Sequence, residues 1–148
     1  MSAEAFLDTN ILVYCFDSDE PEKQRQALEL VESALREGSA VISTQVVQEF
    51  LSLATRKFAS AFTGDDLRMY LDTVLAPLCR VFPDAVLFRI ALEVRAETGF
   101  SFYDSLIVAG ALRAGCTRLY SEDMQDGRAI RGLVIENPFG SPETAKDR

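Results

Sequence analysis

The sequence predicts an α/β fold, a three-layer α/β/α sandwich built around a central parallel sheet. Three observations carry this expectation. Short apolar runs alternate with amphipathic segments several turns long. The long segments open on capping residues or proline and close on glycine. No internal repeat or linker interrupts the alternation, so residues 1–137 are expected to form a single domain.

The elements follow in order. AFLDT, residues 5–9, reads as a first strand leading into a helix. PEKQRQALELVESALREG is an amphipathic helix with Pro21 near its start and Gly38 past its end. SAVIS, residues 39–43, is the second strand, and TQVVQEFLSLATRKF the helix that follows. A further helix opens at the capping box Thr63-x-x-Asp66, and CRVFP supplies the third strand. Asp84 caps DAVLFRIALEVRAETG, where Val86, Ile90 and Val94 recur at helical spacing. SFYDSLIVAGALRAG forms another helix ending near Gly115, and TRLYS and LVIE are the last strands. The tail, residues 138–148, mixes proline, glycine and charge and is expected to be disordered.

A chain of 148 residues buries roughly 68 to 70 per cent of its unfolded surface, enough for a real core. No apolar run approaches the ~20 residues of a membrane span, and the N-terminus lacks the pattern of an export signal. A cytoplasmic protein with no membrane partner is the expectation. Cys15, Cys79 and Cys116 are odd in number and widely spaced, which suits reduced, buried thiols. With no histidine and no CxxC pair, a zinc site lacks its usual ligands, and a Ser or Cys nucleophile lacks its usual base. Carboxylates must therefore carry any chemistry. The net charge of −8 argues against broad, non-specific nucleic-acid binding.

Asp8 stands inside the apolar run AFLDTNILVYCF, with no Lys, Arg or His in that run to offset it. Burying a lone carboxylate costs several kcal/mol, so a partner from elsewhere is required. In a parallel sheet, ligands gather beyond the carboxyl ends of the strands. Asp8 falls at the end of the first strand, Glu49 one turn into the helix after the second, Asp104 in the first turn of the SFYD helix, and Asp123 just after TRLYS. Each has a plainer reading: a turn at Asp8-Thr9-Asn10, a solvated helix face at Glu49, a capping box Ser101-x-x-Asp104, and a turn around Asp126-Gly127. Together they suggest more. Two carboxylates ~4 Å apart repel by about 4 kcal/mol at an effective dielectric of 20, so such a cluster takes up protons or a cation. The hard ions Mg²⁺ and Mn²⁺ suit carboxylate oxygens.

The strand-borne FLDTN, the helical VVQEF, the helix-opening FYDSLI and the late LYSEDMQDG, in this order, resemble PIN-domain ribonucleases, and most of all the VapC-type toxins of toxin–antitoxin modules. The resemblance implies that Asp8, Glu49, Asp104 and Asp123 are the catalytic, metal-binding quartet of a divalent-metal-dependent ribonuclease. It implies Mg²⁺, replaceable by Mn²⁺, with Asp126 as a further metal ligand. Thr9, Asn10 and Ser121 would support the acids. Whether Glu122 or Asp126 shares the role of Asp123 stays open. The implied reaction is hydrolysis through an activated water, leaving a 5′-phosphate and a 3′-hydroxyl.

Arg56, seven residues after Glu49, is a possible RNA contact, and Arg113, Arg118, Arg128 and Arg131 a possible basic rim. The implied partners are RNA, a cognate antitoxin and a second copy of the chain. Phe50, Ala54, Phe58 and Phe62 make an apolar stripe, of which Phe58 and Phe62 are candidates to line a groove for a partner helix. Two rival functions remain. Aspartyl phosphotransfer of the HAD type needs an acid two residues after the first, where Asn10 stands. The other is a catalytically silent PIN-like module that binds RNA or protein.

Overall fold

The structure, a computed structural model, describes residues 3–58 and 62–140. Six strands form one sheet in the order β3-β2-β1-β4-β6-β5. They are β1 (Ala5–Leu7), β2 (Ala40–Ser43), β3 (Cys79–Val81), β4 (Arg118–Tyr120), β5 (Ala129–Ile130) and β6 (Leu133–Glu136). The five strands β1, β2, β3, β4 and β6 pair in parallel, and helices flank the sheet, as the alternation of runs predicts. The exception is β5, which pairs antiparallel with β6. It is two residues long, too short to leave a periodic signature in the sequence.

Chain order explains where a site can form. From β1 the chain moves outward through β2 to β3, then returns to lay β4 on the other side of β1. The direction of winding therefore reverses between β1 and β4, and loops leaving their carboxyl ends diverge to open a crevice. The register pairs Leu7 with Tyr120, so the residues that follow, Asp8 and Ser121, emerge side by side.

The helices are α1 (Thr9–Tyr14), α2 (Pro21–Glu37), α3 (Thr44–Arg56), α4 (Gly64–Tyr70), the short α5 (Ala76–Leu78), α6 (Ala85–Thr98) and α7 (Phe102–Arg113). Leu71–Leu75, between α4 and α5, is a π-helical turn. It lies just before Pro77, which has no N–H to continue an α-helical ladder. The capping box at Thr63 and Asp66 forms as expected, and Asp84 caps α6 by accepting from Leu87 N at 2.8 Å. The face of α6 differs from expectation. Leu87, Ala91 and Val94 are buried, whereas Val86 is 51% exposed, because both sides of this helix are apolar and periodicity alone could not choose between them.

Phe6, Leu7, Val41, Ile42, Leu119, Leu133 and Ile135 fill the sheet's part of the core. Beside it lies an aromatic cluster. The Phe62 ring packs edge-on against Phe16 at 4.7 Å and also meets Phe50 and Tyr70. Phe62, proposed as groove lining, is thus packed on other rings of the molecule. The tail expected to be disordered lies outside the described residues from 141 onward. Residues 138–140 form a turn in which Phe139 packs on Tyr14 with ring centroids 5.0 Å apart.

Candidate functional site

Asp8 is the N-cap of α1, its Oδ1 accepting from Thr9 N at 2.7 Å. Its other oxygen, Oδ2, accepts from Ser121 Oγ at 2.7 Å, across the β1–β4 pair. Asp8 N also bonds Tyr120 O, extending the ladder by one rung and fixing the carboxylate at the sheet's edge. The residue is only 8% exposed. Burial pushes its pKa up to about 6, and the nearby charges of Glu49 and Asp123 push the same way against the opposing hydrogen bonds from Ser121 and Thr9.

Two neutral side chains of α1 knit the other acids to this point. Thr9 Oγ1 donates to Glu49 Oε1 at 2.7 Å, linking α1 to α3. Asn10 Nδ2 donates to Asp123 Oδ2 at 3.1 Å and, more weakly, reaches Asp8 Oδ2 at 3.4 Å. Asn10 Oδ1 meanwhile accepts from Glu122 N at 3.2 Å, so its amide holds the loop after β4 from both ends.

Asp104 arrives from α7. Ser101 Oγ accepts from Asp104 N at 3.1 Å. The return bond of a full capping box is absent among the described residues, which leaves the Asp104 carboxylate without a local partner. Gln45 Nε2 ties α3 to the same turn by donating to Tyr103 O at 3.1 Å. Asp8, Glu49, Asp104 and Asp123 all line one cavity of ≈ 560 Å³, together with Thr9, Asn10 and Arg56. Among the described residues, none of the four acids is ion-paired with Lys or Arg. Arg56 is the one basic residue of that lining.

Other expectations are placed differently. Asp126 does not line the cavity; its Oδ1 accepts from Asn137 N at 2.9 Å and anchors the chain leaving β6. Glu122 is drawn away by Lys23 Nζ, which donates to its Oε2 at 2.8 Å, and by the Tyr14 hydroxyl, which donates to its Oε1. Lys23 and Tyr14 were invisible as partners because they lie 99 and 108 residues from Glu122. The basic rim does not form at the cavity. Arg113 pairs with Asp84, Arg118 with Glu136, and Arg131 with Glu93 and Glu97, while Arg128 lies over the Phe100 ring at 5.1 Å.

The donor set, oxygen only and net negative around a buried carboxylate, fits a hard divalent cation in type and charge. Among the described residues, however, no three acids converge closely enough to hold an ion jointly. Thr9 and Asn10 occupy acid oxygens that such an ion would draw together.

Fold and site define an α/β domain whose carboxylates gather at a topological switch point. A model of the PIN domain family matches residues 5–127, and the chain belongs to that family. Similar solved structures include a toxin–antitoxin complex from Klebsiella pneumoniae, at 20% identity over 90% of this chain and 97% of that one, with a TM-score of 0.65. DNA-bound VapBC from Salmonella typhimurium aligns at 19% identity over 92% and 98%, TM-score 0.64. VapBC2 from Rickettsia felis, bound to a DNA fragment from their promoter, aligns at 22% identity over 90% and 97%, TM-score 0.60. At these identities the likeness establishes the fold. No curated protein matches the chain by sequence. Among the described residues, no helix is long and apolar enough to cross a membrane.

Proposed function

We propose that this PIN domain is a divalent-metal-dependent endoribonuclease and the toxin of a toxin–antitoxin pair, with Asp8, Glu49, Asp104 and Asp123 as its acidic set. One observation carries the reading: in a chain of this family, a carboxylate buried at the sheet's edge shares one cavity with three further acids and an arginine. Mg²⁺, or Mn²⁺ in its place, held by these carboxylates would supply an activated water and offset phosphate charge. Ser121 and the α1 amide at Thr9 orient Asp8, Thr9 orients Glu49, and Asn10 orients Asp123. Arg56 supplies a cation for an RNA phosphate entering the cavity. The similar structures contain antitoxins according to their descriptions, and this supports an antitoxin as partner here. Phe82, Val86, Phe88 and Leu92, all exposed, offer apolar surface for such a partner or for a second copy of the chain.

A second reading, a silent module that binds RNA or protein, is favoured by one feature: the acids do not converge in threes among the described residues. Cleavage of a labelled RNA panel with Mn²⁺ separates the two. The nuclease reading expects wild type to cut, leaving a 5′-phosphate, and Asp8→Asn to lose activity. Equal activity in both, or a 2′,3′-cyclic product, refutes it; binding without cleavage by wild type supports the silent module.

A further inference from the structure

A brace of residues outside the cavity lining holds the loop after β4. Lys23, on α2, donates to Glu122 Oε2 at 2.8 Å, and Tyr14, on α1, donates to the other oxygen. The pair is partly shielded, with Lys23 and Glu122 side chains 32% and 22% exposed. Lys23 Nζ also lies 5.1 Å from the centre of the Tyr14 ring and 6.0 Å from that of Phe139. The Glu122 carboxylate raises the pKa of Lys23 chiefly through their hydrogen bond, so the lysine is charged throughout the neutral range. With its side chain held, the Glu122 backbone is fixed as well, and its N–H meets Asn10 Oδ1 at 3.2 Å. The other end of that same amide donates to Asp123 and reaches Asp8.

The geometry points to Lys23 as a positioning residue: through Glu122 and Asn10 it sets where Asp123 stands relative to Asp8. Glu122 is then a strut and not a further ligand of the cation. This rests on the proposed metal-dependent site and adds to it a residue three contacts removed. The Asn10 amide is held at its oxygen by Glu122 N–H alone, while its nitrogen is shared among Asp123 at 3.1 Å, Asp8 at 3.4 Å and Ser121 Oγ at 3.5 Å. Freeing Glu122 weakens the one hold on the oxygen, so the amide can favour another of its acceptors and let Asp123 drift.

The test is calorimetric titration of Mn²⁺ into the full chain, with melting curves recorded without the ion. Groups that hold a metal ligand directly change affinity by about 10- to 100-fold when removed. Asn10→Ala is expected in that range, and Lys23→Met, two contacts further out, at about three- to tenfold. The swapped pair Lys23→Glu with Glu122→Lys is expected to recover wild-type affinity, as is the conservative Lys23→Arg in large part. Without the ion, the melting shifts of Lys23→Met and Asn10→Ala are expected to be non-additive, because both act on one chain of contacts. Wild-type affinity in Lys23→Met, or loss in Glu122→Gln that Lys23→Met does not share, would overturn the assignment. If wild type binds no Mn²⁺, the proposed function fails, and additive melting shifts then overturn the brace independently.

Discussion

Replacing Asp8 with asparagine gives the most direct measure of what its burial costs. The carboxyl is held at about 6 against an ordinary 3.8, chiefly by desolvation. Its folded-state pKa lies above the unfolded one, so the native state keeps a proton that the unfolded chain has already released. Stability from this group is full below 3.8 and is lost as pH rises through about 6. At about pH 7.5 the charged form therefore weakens the native state by roughly 3 kcal/mol, at about 1.36 kcal/mol for each pKa unit. Asparagine keeps an acceptor for Thr9 N and carries no charge, but its amide group faces the Ser121 hydroxyl, which must turn to accept. That rearrangement costs about 1 kcal/mol. In chelator-treated buffer, urea unfolding is expected to show Asp8→Asn more stable than wild type by about 1–2 kcal/mol at pH 7.5. The difference should shrink by about 2 kcal/mol by pH 4.5, where wild type has mostly taken up its proton. With Mn²⁺ at about 100 times its dissociation constant the order reverses, because wild type alone gains about 2.7 kcal/mol. A difference between the two proteins that does not vary with pH would refute the desolvation argument.

Arg56→Ala is expected to raise KM for RNA with kcat nearly unchanged, and to lower the slope of log affinity against log salt by about one, read from cleavage and binding series. Phe50→Ala empties the centre of the aromatic cluster formed with Phe16 and Tyr70 and should cost about 3–5 kcal/mol in urea unfolding. Gly110→Ala places a methyl 3.4 Å from the Phe6 ring and 3.7 Å from Ser43 Cβ, which is ordinary contact. The gain in helix propensity should then show as about 0.5–1 kcal/mol of added stability, and a loss would mean that α7 sits more tightly on β1 and β2 than its geometry indicates.

Much of the architecture was legible because its signals are local. Gly38 closes α2 in the left-handed conformation, at φ 67, and Thr63 with Asp66 and Asp84 with Leu87 open their helices through bonds spanning three residues. The carboxylates were legible for a different reason. Asp8 interrupts an apolar run, and the rule that ligands collect at strand ends singled out Glu49, Asp104 and Asp123. All four do line one cavity. The buried side of α6 was not legible, since a helix apolar on both sides leaves its orientation to whatever packs against it.

Local residue chemistry thus set the elements, their caps and the run of acids along the sheet's edge. Pairing across the fold decided the rest. Asp126 was claimed by the backbone of Asn137, Glu122 by Lys23 and Tyr14, Arg118 by an acid of β6 and Arg131 by acids of α6. Such choices depend on which charged groups meet in space, and Coulombic and hydrogen-bond energies fall off over a few ångströms whatever the separation along the chain.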